Sequence, residues 1–331
     1  MTEDARDDAK RDAGDTDAPL RGVVGNPGLA GRSLEEEALR IGKRVREIND
    51  QVNERSGRNL GSAIAIAFVM IAAVLASLLI DKRWFIILGI AMVAVLVVEL
   101  STAMRRVGLR IPRIPSVAMT FAVVPAAFYL GAEWMWAALI AGTIVVLLWR
   151  VVEWVLEKPR LSAKQLQVDA TAIIFAQLYA TFLGSFSALL VAQPNGEYWA
   201  LAFIIVVVCV DTGAYATGLK FGKHKLAPRI SPGKTWEGSI GGTVFAVIAG
   251  ILLCIYLLGL PWWFGIVMGV AITITATVGD LTESMIKRAL GIKDMSNWLP
   301  GHGGFWDRLD SMLPSGAMAF ALYFWAAPLM H

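Results

Sequence analysis

Cysteine is nearly absent from this 331-residue chain: Cys209 and Cys254 are the only two, and each lies within an apolar run. That excludes a disulfide framework and a zinc site built on thiolates. Charged residues are also scarce, at 17%, where a soluble domain carries roughly a quarter. No aromatic residue occurs before the first apolar run, which begins near residue 61 behind a long charged tail. A tail in that place shows no cleavable signal peptide, so the chain is expected to insert through its own first span. Residues 1–32, rich in Asp, Arg, Ala, Gly and Pro, have little apolar surface to offset the entropy of ordering and are expected to be disordered. Internal repeats are missing too, including the duplicated halves typical of transporters.

What the chain has in abundance is apolar length, since 56% of its residues are hydrophobic. Uninterrupted stretches run from Gly61 to Ile80, Trp84 to Leu100, Val117 to Leu130, Trp134 to Trp149, Ala170 to Ala192, Tyr198 to Gly218, Ser239 to Leu258, Trp262 to Gly279 and Leu313 to Met330. Most approach the ~20 residues needed to cross a bilayer as helix. The expected fold is therefore an all-α integral membrane protein, a polytopic bundle of about nine transmembrane helices occupying residues 59–331.

Its basic residues are distributed asymmetrically. The loops after spans two, four, six and eight hold Arg105, Arg106, Arg110, Arg113, Lys158, Arg160, Lys164, Lys220, Lys223, Lys225, Arg229, Lys234, Lys287, Arg288, Lys293 and Arg308, whereas the opposite loops hold Lys82 and Arg83. Positive charge stays on the cytoplasmic side, so the N-terminus and these loops are expected there. Residues 33–58 form a separate unit. Ser33 with Glu36 makes a capping box, and Leu34, Ala38, Ile41, Val45, Ile48 and Val52 recur at alternating four and three spacing. This predicts a cytoplasmic amphipathic helix lying on the membrane or bundle, with a short coiled coil between subunits as the alternative.

The polar chemistry is concentrated in the last half of the chain. Asp280 closes an apolar run, which is costly unless the carboxylate is paired or binds a metal. On a continuing helix Asp280, Ser284 and Lys287 share one stripe. Glu283 and Lys287 have the spacing of an ordinary salt bridge, which explains Glu283 but leaves Asp280 unexplained. After Gly291 a polar loop leads to Gly301, His302, Gly303 and Gly304, whose unobstructed amides suit a phosphate. His302 reads as an acid–base group or as a donor to phosphate, with the donor role preferred. Asp307 and Asp310 follow at i, i+3 spacing. Taken alone they are a helix cap and a surface carboxylate; beside Asp280 and the glycines they suit a hard cation such as Mg2+.

Earlier, Asp211 lies among the small residues Gly213, Ala214 and Gly218, and is expected to be a buried carboxylate beside a polar cavity or a close helix contact. The loop that follows carries Lys220, Lys223 and Lys225, which topology alone accounts for. Gly233, Lys234 and Thr235 suggest a P-loop, but that motif requires glycine where this chain has Pro228, and no soluble strand precedes it. Ser231, Lys234, Thr235 and Glu237 still bring a cation, hydroxyls and a carboxylate to the start of span seven, a set suitable for a nucleotide.

The run from Ser284 to Asp310, SMIKRALGIKDMSNWLPGHGGFWDRLD, resembles the full signature of bacterial phosphatidate cytidylyltransferases, or CDP-diacylglycerol synthases. Its fixed positions are Ser284, Lys287, Arg288, Lys293, Asp294, His302, Gly303, Gly304, Asp307, Arg308 and Asp310. The DTGAY and SPGKTWEG segments also resemble that family, which often has lysine where this chain has Gly233; Lys234 is therefore the expected phosphate contact. The resemblance is strongest from about Trp199 onward and leaves out the first 60 residues. It implies a multi-span helical fold, a homodimer, a cytoplasm-facing polar cavity and a metal centre. Asp280, Asp307 and Asp310 are the implied metal carboxylates, with Asp211 near them, Mg2+ the cofactor and K+ a candidate second cation.

The implied reaction joins the phosphate of phosphatidic acid to the α-phosphorus of CTP, at the cytoplasmic face of the inner (plasma) membrane. Phosphate is already a nucleophilic anion, so the difficulty is bringing two polyanions together as charge builds on the leaving group. Divalent metal on the aspartates and clamps from Lys234, Lys287, Arg288, Lys293 and Arg308 would answer it. The acyl chains are expected in a gap between helices, and nucleic acid is not an expected partner. Two rivals stay open from sequence: a CTP-dependent enzyme acting on another lipid phosphate or a polyprenol, and an ion-coupled transporter using Asp211 and Asp280.

Overall fold

In the computed structural model, residues 60–158, 162–296, 298 and 303–329 are described. The expected disordered tail at 1–32 and amphipathic helix at 33–58 lie outside them, as does His302. The elements run α1 (Leu60–Leu79), α2 (Lys82–Arg106), α3 (Arg113–Tyr129), α4 (Ala132–Leu156), α5 (Ala163–Val191), α6 (Gly196–Phe221), β1 (Lys225–Ala227), β2 (Ser231–Thr235), α7 (Trp236–Leu258), α8 (Trp262–Ala289), α9 (Trp306–Leu309) and α10 (Met312–Ala326).

Seven helical segments are long and apolar enough to cross a membrane, α10 counting together with α9 and the turn after it. The remaining two of the nine expected spans are shorter: α3, and the Phe68–Leu79 part of α1. Helix is the form such sequences take, because a backbone without water must satisfy its polar groups within its own segment. Their outward faces are apolar, as at Phe68, Ile87, Ile114 and Leu148, all exposed. The expected all-α fold needs one correction among the described residues: β1 and β2 form a two-stranded antiparallel hairpin between α6 and α7. Its strands are too short and polar to leave an apolar periodicity.

Local chemistry marks the helix ends. Asp81 accepts a hydrogen bond from Arg83 N at 2.9 Å at the start of α2. Ser162 accepts one from Gln165 N at 3.2 Å at the start of α5, and Thr235 from Gly238 N at 3.1 Å at the start of α7. A π-helical stretch, Gln177–Phe182, interrupts α5, and another, Cys254–Leu258, ends α7.

Two hydrophobic clusters hold the bundle. One joins α2, α3, α4 and α5 and takes in Met295 and Trp306; the other joins α6, α7, α8 and α10 around Trp199, Phe264 and Met268. Within the second, α7 is clasped by both neighbours at glycine. A Cβ on Gly242 would stand 2.7 Å from the Val210 carbonyl of α6, and one on Gly269 of α8 would stand 2.6 Å from Val247 Cα. Backbones approach this closely only where side chains are minimal. The consequence is positional: α6 and α8, which carry Asp211 and Asp280, are locked to one helix between them.

Candidate active site

The site begins where α8 runs past its apolar part. The helix continues for ten residues beyond Gly279, to Ala289, so Asp280, Glu283, Ser284 and Lys287 follow one another along its last turns. Ser284 Oγ donates to Asp280 Oδ1 at 3.4 Å, as the expected stripe requires. Gly279 permits the next step. A Cβ there would collide with the Asp310 carbonyl oxygen and lie 2.9 Å from Pro314 Cγ, so only glycine lets the junction of α9 and α10 rest against α8.

That contact brings Asp310, 8% exposed, beside Asp280 and Glu283. One oxygen from each of the three carboxylates lies within 4.8 Å of the others. Glu283, 3% exposed, does make the expected salt bridge to Lys287, Nζ to Oε1 at 2.6 Å. It is also the third member of the carboxylate group, which spacing alone did not indicate. Lys287 Nζ lies 3.0 Å from Asp307 Oδ1, and Lys234 Nζ reaches across from β2 to Asp280 Oδ2 at 2.6 Å. Asp280, Glu283, Asp307 and Asp310 thus face two ammonium groups. Negative charge is in excess, and three carboxylates with free oxygen lone pairs suit a hard divalent cation.

A cavity of about 820 Å³ opens over this group, its walls including Asp211, Ser231, Lys234, Asp280, Arg308 and Asp310. Such a volume accommodates a nucleotide. Asp211 lies at the cavity, as one of its two sequence readings has it, but is exposed there rather than buried. The small residues about it are what pack, since a Cβ on Gly213 would meet Phe245 at 2.9 Å. Asp211 and Asp307 both line the cavity but stand outside the close carboxylate group.

Other expected site residues have work within the fold. Thr235, buried, caps α7 with its hydroxyl. Glu237 accepts from the backbone amides of Lys223 and His224 and pairs with His224 Nδ1 at 2.6 Å, tying the turn after α6 to the start of α7; it is not among the cavity-lining residues. Arg288 Nε donates to the Ile230 carbonyl at 3.4 Å, linking α8 to the hairpin. Lys293 and Asp294 lie on the turn beyond α8. Gly303 has φ +81°, and a Cβ on it would stand 3.6 Å from Asp294 Oδ1. The Gly304 amide, expected to be open to phosphate, donates to Asp307 Oδ2 at 2.8 Å. Asp307 Oδ2 also accepts from Met295 N at 3.3 Å.

Two residues in contact with this machinery went unnoticed in the sequence. Glu99 of α2 is 1% exposed and accepts from Phe305 N at 3.0 Å and Trp306 N at 2.8 Å. A carboxylate inside an apolar run was the available signal. Tyr179, in the π-helical stretch of α5, donates to the Gly279 carbonyl at 3.3 Å and stacks on Trp306 with centroids 5.3 Å apart. Nothing in local sequence marks that tyrosine.

Residues 61–326 match the cytidylyltransferase family. The chain is 35% identical over 311 residues to a phosphatidate cytidylyltransferase of Mycobacterium leprae, covering 90% of this chain and 97% of that protein. It is 36% identical over 272 residues to the enzyme of that name from Mycobacterium tuberculosis, covering 80% and 83%. A shorter match, 43% identical over 136 residues and covering 40% of this chain, is to a phosphatidate cytidylyltransferase of Haemophilus influenzae. On a match of this extent, over the helices that carry the carboxylates and lysines described above, the chain belongs to the cytidylyltransferase family.

Proposed function

We infer that this protein is a phosphatidate cytidylyltransferase, transferring the cytidylyl group of CTP to phosphatidic acid with release of pyrophosphate. The observation that carries this reading is the near full-length likeness to enzymes of that name. The cluster of Asp280, Glu283, Asp310, Lys234 and Lys287, which meets the cavity at Lys234, Asp280 and Asp310, supplies the chemistry. In the reaction a phosphate oxygen of the lipid bonds to the α-phosphorus of CTP. The bond from that phosphorus to the bridging oxygen breaks, and pyrophosphate takes the electron pair.

The residues present fit a magnesium ion, with Asp280, Glu283 and Asp310 as the ligand set and Asp211 and Asp307 beside it. Bound there, Mg2+ would neutralise phosphate oxygens and stabilise charge on the leaving group. Lys234 holds its ammonium against Asp280 at the cavity wall, where it would meet the nucleotide phosphates. Arg308 contributes positive charge to the cavity lining, and Lys287 keeps Glu283 and Asp307 from repelling each other. The aspartates have no proton to remove, because the attacking phosphate is already an anion.

The same proposal puts the cavity at the cytoplasmic face of the inner membrane, where CTP is available and where positive-inside asymmetry directs the basic loops. Homodimer formation and a second cation, K+, are included on the family resemblance. The test is formation of CDP-diacylglycerol and pyrophosphate from CTP and phosphatidic acid by detergent-purified protein, with Mg2+ supplied or chelated. Product that depends on metal is expected. Turnover only with other lipid phosphates would overturn the acceptor, and metal-independent turnover would overturn the cation.

A further inference from the structure

Glu99 is a deeply buried carboxylate whose purpose the proposed chemistry leaves unexplained. It belongs to α2, yet its three hydrogen-bond partners are the Ser296 hydroxyl and the amides of Phe305 and Trp306, roughly two hundred residues later in the chain. A carboxylate at 1% exposure in a membrane helix is costly unless donors surround it. Among the described residues it forms no ion pair, so these three donors are what hold it.

We propose that Glu99 is a positioning residue: it grips the backbone at Phe305 and Trp306 so that Asp307 and Asp310 keep their places beside α8. The proposal rests on the activity inferred above. Helix α9 starts at Trp306 and has no side-chain cap of its own; Glu99 supplies the acceptor from another helix. From there the effect reaches the carboxylate group in one turn, since Asp310 N donates to the Trp306 carbonyl at 3.1 Å. Asp307 completes the grip from inside the loop through Gly304 N.

Gly304 is caught between the two acids. A Cβ there would stand 2.9 and 3.0 Å from the two Glu99 oxygens and 3.1 Å from Asp307 Oδ2. This gives the second glycine of the pair a role of its own: it admits two carboxylates to the backbone. Trp306, fully buried, is held on its other side by the stacked ring of Tyr179. The loop is therefore fixed between α2 and α5 by contacts that touch none of the substrate-facing groups.

Glu99→Gln keeps the shape of the side chain and removes one acceptor. Phe305 N binds one oxygen and Trp306 N the other, so whichever way the amide is turned, its NH2 faces a backbone N–H. In the full-length protein in detergent, hydrogen exchange at amides 303–309 should quicken about tenfold or more, as for loss of a charge-assisted hydrogen bond. Exchange in α4 and α7 should stay as in the parent. With the same protein, kcat should fall by a similar factor while KM for CTP stays nearly constant.

Unchanged exchange at 303–309 together with parental kcat would overturn the proposal. So would a rise spread evenly over all helices with a lowered unfolding temperature, which is the mark of a general structural role. Should Glu99→Gln fail to fold, Ser296→Ala decides, since it removes one donor and leaves the carboxylate: quickened exchange confined to 303–309 supports the proposal, and none overturns it. If the parent protein turns over no CTP, the inferred activity fails, while the exchange measurement still decides the role of Glu99.

Discussion

Asp280 stands at the end of an apolar run with Lys234 as its counter-charge at 2.6 Å, and each makes a separate prediction. Replacing Asp280 with Asn removes an anionic ligand without altering shape. Turnover should fall by about 100-fold or more, the scale on which preorganised charge acts, while the thermal unfolding temperature in detergent holds. Near-normal activity at saturating Mg2+ would sink the metal assignment. Lys234→Ala should lower kcat/KM for CTP by roughly tenfold to 100-fold through loss of a phosphate contact. It should also decrease the Mg2+ concentration giving half-maximal rate, because Asp280 then has no ammonium to exchange for the metal. A rise in that concentration would argue that Lys234 does not compete for Asp280.

Elements, not single side chains, set the distances within the carboxylate group. The contact of α8 with the α9–α10 junction exists because residue 279 has no side chain. Gly279→Ala should force the two apart, destabilising the protein by about 1–3 kcal/mol and impairing turnover by displacing Asp310; unfolding and rate measured on one preparation check both. The start of α7 depends on the Thr235 hydroxyl. Thr235→Ala should cost about 1 kcal/mol, and Thr235→Ser should restore it. If serine fails to restore stability, the cap is not what Thr235 supplies. The hairpin before α7 carries Lys234 to the cavity, and neither its strands nor its pairing could be read from a polar stretch of five or fewer residues per strand. Apolar helices were legible because their period and length persist over many turns.

Over the whole molecule, the first four helices and the catalytic half meet through long-range polar contacts that no local pattern announces. A further buried polar contact joins α4 to α5. Arg150 of α4, 1% exposed, binds Asp169 of α5, fully buried, with Nε and Nη2 at 3.0 and 2.9 Å from Oδ2. Asp169 Oδ1 accepts from Arg110 N at 3.0 Å and Gln165 Nε2 at 2.9 Å. Asp169→Ala leaves the buried guanidinium only its longer contacts to Glu153 and Glu157, at 3.8 and 3.5 Å, and should destabilise by about 1–3 kcal/mol. Changing both Arg150→Met and Asp169→Leu should recover much of the loss. A double variant as unstable as the single one would show that the hydrogen bonds to Arg110 and Gln165, not the charge pairing, are what matter.

Composition and periodicity alone determined that this chain spans a membrane as helices, because a backbone in hydrocarbon has few other ways to pair its own polar groups. Sequence also placed Asp280, Asp307, Asp310, Lys234 and Lys287 in one region, since their residue types and spacing are properties of a single stretch and its neighbour. Only the tertiary structure decided which carboxylates meet: Glu283 joins Asp280 and Asp310, Asp307 turns to the loop backbone, and Glu99 arrives from α2. These pairings depend on how closely helices distant in sequence approach, which Gly279 and Gly304 permit but do not by themselves reveal.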